Sequence, residues 1–165
     1  MRQSFSDTQI ADFLRRSYFA VDGLWFVKTE DRHGFEEAMD IDAAVWDVMS
    51  KIQARKAKSL LGVQGDSLDD LVSAFQLKLT AEGHDYEVER RADEVVFTVR
   101  VCPWYEILKS GNRTHIAEII ADRICRTEFA GWTREFCPSI RLEMRKRLCV
   151  ESDNCSRCEI AFVRP

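Results

Sequence analysis

HDYEVERRADEVVFTVRVCP, residues 84–103, decides the fold. Upstream of it, apolar residues recur at three and four residues. Within it, Tyr86 and Val88, then Val95, Phe97, Val99 and Val101, alternate with polar neighbours. Two runs of period two joined at Ala92-Asp93 read as a β-hairpin. Pro103 ends the second run, because proline has no N–H to give a ladder.

Working back from the hairpin, the period is helical. Ser67, followed by Asp69-Asp70, caps a helix expected to reach about Ala81, and Gly62 to Gly65 form the turn before it. A longer helix is expected from Phe35 to about Leu61, with Ala38, Met39, Val45, Trp46, Met49 and Ile52 as its apolar stripe. The first helix starts at Ser6-Asp7 and should run to about Thr29, stopping by Gly34. Its apolar positions are Ile10, Phe13, Leu14, Val21, Leu24 and Trp25.

Working forward, Trp104 to Lys109 is a short helical turn. Asn112 or Thr114 caps a long helix to about Phe136, where Pro138 blocks continuation. Ile140–Cys149 and Cys158–Arg164 are the last two strands. The chain is therefore expected to be an α+β protein. A helical N-terminal half, residues 1–83, precedes a four-stranded antiparallel sheet of two hairpins with a long helix between them, residues 84–165, all in one domain. Neither a repeat of 20–50 residues nor a low-complexity linker interrupts it.

At 165 residues the chain can bury a core without staples. A net charge of -4 gives no broadly basic face, which argues against nucleic acid as a partner. No stretch is long and apolar enough to span a membrane, and the first residues have no signal-peptide core. A cytoplasmic location is expected, where thiols stay reduced.

Four of the six cysteines lie in CPSIRLEMRKRLCVESDNCSRC, residues 137–158. Cys155 and Cys158 form a C-x-x-C turn, and Cys149 closes the preceding run. Zinc is the metal that Cys149, Cys155 and Cys158 would take, although a tetrahedral site needs a fourth ligand. The other readings are a reactive pair and thiols packed as small core residues. Strand parity adds a constraint. Cys149 falls opposite in face to Ile140, Leu142 and Met144, whereas Cys158 shares the face of Ile160 and Phe162. Without a bulge, Cys149 and Cys158 do not meet, and Cys102 becomes the neighbour of Cys149.

On the long helix, about 100° per residue places His115, Glu118, Asp122 and Cys125 on one arc. That set can bind metal or relay protons, or it can be a solvated edge beside core. Ile116, Ile119, Ile120 and Ile124 mark a second apolar face, so the helix reads as apolar on two sides. On the second helix, Asp42 lies within an apolar stripe, where a carboxylate needs a partner or a role. Trp25 and Trp46 can wall a ligand pocket around it, which makes Trp25, Asp42 and Trp46 the candidate ligand-binding residues.

GLWFVKTEDRHGFEEAMDIDAAVWDVMSKIQARKAK (residues 23–58), CPWYEILKSGNR (102–113) and RICRTEFAGWTREF with RLCVESDNCSRCEIAF (123–136 and 147–162) resemble an uncharacterised family of prokaryotic cytosolic proteins. That family is grouped with the aminothiazoline-carboxylate hydrolases, which open a sulfur heterocycle. The closing cysteine hairpin is also similar to the end of vinyl-reductase-type ligand-binding domains, with Ser152-Asp153 in place of a glycine-aspartate turn. The hydrolase resemblance implies attack of an activated water or thiolate on a C=N carbon. Cys102, Cys125 and Cys149 are then the thiol candidates, and His115 or a carboxylate the acid or base. The function expected is small-molecule binding, with hydrolysis of a thiazoline-like ring as one form of it. A non-enzymatic ligand-binding or sensor domain and a zinc-bearing interaction domain are the alternatives.

Overall fold

A computed structural model of the protein describes residues 3–150 and 156–164. The chain divides into two compact units, Met1–Asp42 and Ala43–Pro165.

The first unit holds helix α1 (Asp7–His33) and the start of α2 (Phe35–Leu61). Ser6 and Gln9 close a capping box: the Ser6 side chain accepts from the Gln9 N–H, and the Ser6 N–H donates to Gln9 Oε1 at 2.9 Å. At the other end Gly34 adopts a φ of 88°, closed to most L side chains, so the break predicted near Gly34 falls there. Phe26 and Phe35 meet edge-on across that break, with ring centroids 6.1 Å apart. The stripe of α1 is helical in spacing, as expected, but it is not core. Among the described residues none within α1 is buried.

In the second unit, α3 (Leu68–Glu82) precedes strands β1 (Asp85–Arg90) and β2 (Glu94–Val101). Helix α4 (Pro103–Ser110) leads to a 3-10 turn at Thr114–Ile116. Then follow α5 (Ala117–Ile120), a π segment (Ala121–Cys125), α6 (Arg126–Phe136), and strands β3 (Arg141–Lys146) and β4 (Cys158–Val163). The sheet order is β1-β2-β4-β3, antiparallel throughout, so the α+β fold of two hairpins with a helix between them is present.

The core forms on one sheet face. Val95, Phe97 and Val99 of β2 and Ile160 and Phe162 of β4 share parity and cluster with residues of α3 and α6. Phe75 of α3 is its hub, with edge-on rings of Phe97, Phe129, Trp132 and Phe162 at 5.1–5.8 Å. Helices α2 and α6 approach closely at Gly131, where a Cβ would stand 2.1 Å from Ser50 Oγ. Arg55 straps the pair with two bonds to Glu135, at 2.8 and 3.0 Å.

Four expectations are corrected. Val45 and Ile52 lie outside the buried stripe of α2 and are exposed. Neither Asn112 nor Thr114 caps the long helix: its first turn has Arg113 at the cap and no side-chain bond. The second apolar face of that helix is buried only in part: Ile116 and Ile124 are buried, Ile120 is half-buried and Ile119 is exposed. Each π residue advances less than an α residue, so five of them set the following face back by roughly a quarter-turn. That brings Ala117 toward the line of Phe129, Trp132 and Phe136, and it breaks the single arc drawn through His115 and Cys125. Finally, β3 ends at Lys146 instead of Cys149, after a bulge between Met144 and Lys146. One extra residue reverses the alternation, and the parity argument separating Cys149 from Cys158 fails with it.

Candidate functional site

Helix α3 carries Lys78 and Glu82 inside its apolar stripe, between Phe75 and Leu79 and at its last turn. At a spacing of four they share a face, and that face is the core. Lys78 Nζ donates to both oxygens of Glu82, at 2.8 and 2.7 Å. It also lies 3.0 Å from Glu128 Oε1, on α6. Glu128 stands one turn before Trp132 and shares its buried side of α6. All three side chains are at most 7% exposed. Burial by itself would lower the Lys78 pKa, but Glu128 and Glu82 reverse this and hold it well above the usual lysine range. The group is a buried ion cluster in which one cation answers two carboxylates.

His84 joins it by way of the helix cap. Gly83 takes the left-handed conformation, and the His84 N–H donates to the Leu79 carbonyl at 2.9 Å, a closure of the Schellman type. The imidazole is thereby fixed beside the last turn of α3. Its side chain is 7% exposed, and Nδ1 stands 3.7 Å from Glu82 Oε2. Among the described residues Nδ1 has no hydrogen-bond partner. Burial, and then the charge of Lys78, lower its pKa to about 4, against the opposing pull of Glu82 and of the Leu79 backbone carbonyl. The ring is a neutral base at ordinary pH.

The thiols close the site. Cys102 stands at the N-terminal end of α4, and burial pushes its pKa up to about 11, with Cys149 and Glu82 adding to the rise. The amides of Tyr105 and Trp104 pull the other way, although no side-chain capping bond forms. Cys125 ends the π segment. Burial drives it well above the thiol range, with further contributions from Cys102, Glu128, Cys149 and Cys158. Cys158 Sγ accepts the Leu148 N–H at 3.3 Å. Cys102, Cys125, Cys149 and Cys158 therefore lie within electrostatic reach of one another, with Cys149 near Cys102 as expected. Cys102 and Cys125 are held as protonated thiols there.

The remaining candidates lie elsewhere. His115 is exposed on the 3-10 turn, and Asp122 pairs with Arg147 and Arg126. Trp46 is buried, its ring 5.4 Å from Trp104 and perpendicular to it. In the first unit Trp25 is exposed on α1 and Asp42 half-buried on α2. Cys155 lies outside the described residues. Among the described residues no group of three or more His, Cys, Asp or Glu is arranged to hold a metal ion, and no helix is long and apolar enough to cross a membrane.

Lys78, Glu82, His84 and Glu128 were missed from the sequence. Lys78 and Glu82 had a legible signal, an oppositely charged i,i+4 pair in line with Leu71 and Phe75. So had Glu128, which stands four residues after Ile124 and four before Trp132 on one helical line.

No curated protein matches the chain, and no solved structure does. A family model does match, over residues 5–159, nearly the whole chain. The chain belongs to that family, which is described as a family of unknown function (DUF6125).

Proposed function

We propose that this chain binds a small molecule at the buried charge–thiol cluster of the second unit and hydrolyses a cyclic C=N bond there. The observation that carries the reading is His84: buried, neutral, with an unpartnered Nδ1 beside the Lys78–Glu82–Glu128 cluster. Buried titratable groups with strongly displaced pKa values and a neutral base gathered in one place favour chemistry over packing.

In this reading His84 takes a proton from water as the water oxygen bonds to the C=N carbon. His84 passes that proton to the substrate ring nitrogen, and the C=N bond becomes single. The tetrahedral adduct then collapses to a carbonyl, breaking the C–S bond, and the sulfur leaves as a thiol with the proton released by the adduct's hydroxyl. Water is preferred to a cysteine nucleophile because Cys102 and Cys125 are held protonated. The likeness to aminothiazoline-carboxylate hydrolases supplies the substrate class. Binding without turnover is the second reading, favoured by the Trp46–Trp104 pair as a wall for a planar ligand.

The test is incubation with an aminothiazoline carboxylate, reading thiol release and tryptophan fluorescence together. Thiol release is expected, with His84→Gln lowering it at least about a hundredfold while Cys102→Ser and Cys149→Ser retain it. A base with a pKa near 4 is in its active form above that value, so the acid limb of the rate should fall near pH 4 and not near 6.5. A fluorescence change without thiol release would leave the binding reading standing. Neither signal would sink both.

A further inference from the structure

α1 presents an apolar stripe that has no cover. Ile10, Phe13, Leu14, Val21, Leu24 and Trp25 are between 47% and 71% exposed. Their spacing puts them on one side of the helix, within a wedge of about 120°. Six side chains of this size leave on the order of 600–700 Å² open, above the largest patch of a typical monomer. A standard interface takes about 800 Å² from each partner, so the stripe is nearly one half of a dimer contact.

We propose that this stripe is the interface of a two-fold homodimer in which the α1 helices of two copies pack antiparallel. The stripe is self-complementary under that symmetry. With the axis near residue 19, Leu14 faces Leu24, Phe13 faces Trp25, Ser17 faces Val21, and Ile10 faces the aliphatic stem of Lys28 of the other copy. Antiparallel packing also sets the two helix dipoles head to tail. Long helices in water owe most of their stability to a packed apolar face, and the second copy supplies it here.

Sedimentation equilibrium of the full chain at micromolar concentrations tests this. A dimer is expected, and Leu14→Glu and Leu24→Lys singly should each weaken it by about a hundredfold. Both sites are exposed, so near-UV circular dichroism should stay unchanged. The double variant Leu14→Glu/Leu24→Lys should recover much of the affinity, because antiparallel packing sets the new opposite charges face to face. A monomer at every concentration overturns the proposal, and so does a dimer that both single variants leave intact. A double variant weaker than either single one overturns the antiparallel arrangement.

Discussion

Helices α1 and α3 are built from similar alphabets and used in opposite ways. Among the described residues α3 buries eight of its 15 and α1 none of its 27. In α3 the core face takes in two charges, Lys78 and Glu82, while in α1 six large apolar side chains stay in water. Helical periodicity reports that a face exists, and does not report what covers it. In α3 the sheet and α6 provide the cover and make charged groups tolerable by pairing them. For α1, described within its own unit, the cover we propose is another copy.

The sharpest way to break the contrast is to truncate one phenylalanine from each helix. Phe75→Ala removes the hub of four edge-on ring contacts and leaves a cavity, with an expected loss of about 5 kcal/mol. Phe13→Ala should change the stability of a dilute, monomeric sample by less than about 0.5 kcal/mol. Urea unfolding followed by circular dichroism measures both. A loss at Phe13 comparable to that at Phe75 in dilute protein would mean that α1 has a packed face after all.

Next in size is the charge that α3 carries inward. Lys78→Met leaves Glu82 and Glu128 buried without their cation, which should cost about 3 kcal/mol. The sign of its pH dependence is fixed. Carboxylates deprived of Lys78 have folded pKa values raised above the unfolded ones, so the variant keeps stability at low pH and loses it as pH rises. The deficit relative to wild type should therefore widen between about pH 5 and pH 8. Replacing all three charges together, Lys78→Met with Glu82→Leu and Glu128→Leu, should be far milder than the single change. If the triple variant is the worse of the two, the cluster contributes net stability and its retention needs no functional account.

Much of this architecture was legible. Ser6, Gly34 and Ser67 mark helix ends by their own chemistry, and alternation from Tyr86 to Val101 announces the first hairpin without any help from the tertiary fold. The site was less legible because it depends on two departures from regular phase. The π segment interrupts the helix phase ahead of α6, and the bulge after Met144 undoes the alternation that set Cys149 and Cys158 on opposite faces. A fixed 100° or a fixed period of two carries any reading past such a point to the wrong face. His84 was missed for a different reason: a residue just beyond a glycine cap reads as loop, while the cap's hydrogen bonds fix it against the cluster.

The smallest contrast is in the caps. Ser67 accepts the Asp70 N–H at 3.1 Å, and Ser6 accepts the Gln9 N–H at 3.2 Å. Each serine satisfies one orphan donor, and Ser→Ala at either site removes about 1 kcal/mol of local helix stability. The consequence should differ, because α3 unfolds only with the core while the first turn of α1 can fray alone. Ser67→Ala is therefore expected to shift the urea midpoint by the full amount. Ser6→Ala should leave the midpoint of dilute protein where it is and speed amide exchange over residues 7–12. An equal midpoint shift from both variants would show α1 melting together with the core, and the two helices would then belong to one cooperative unit.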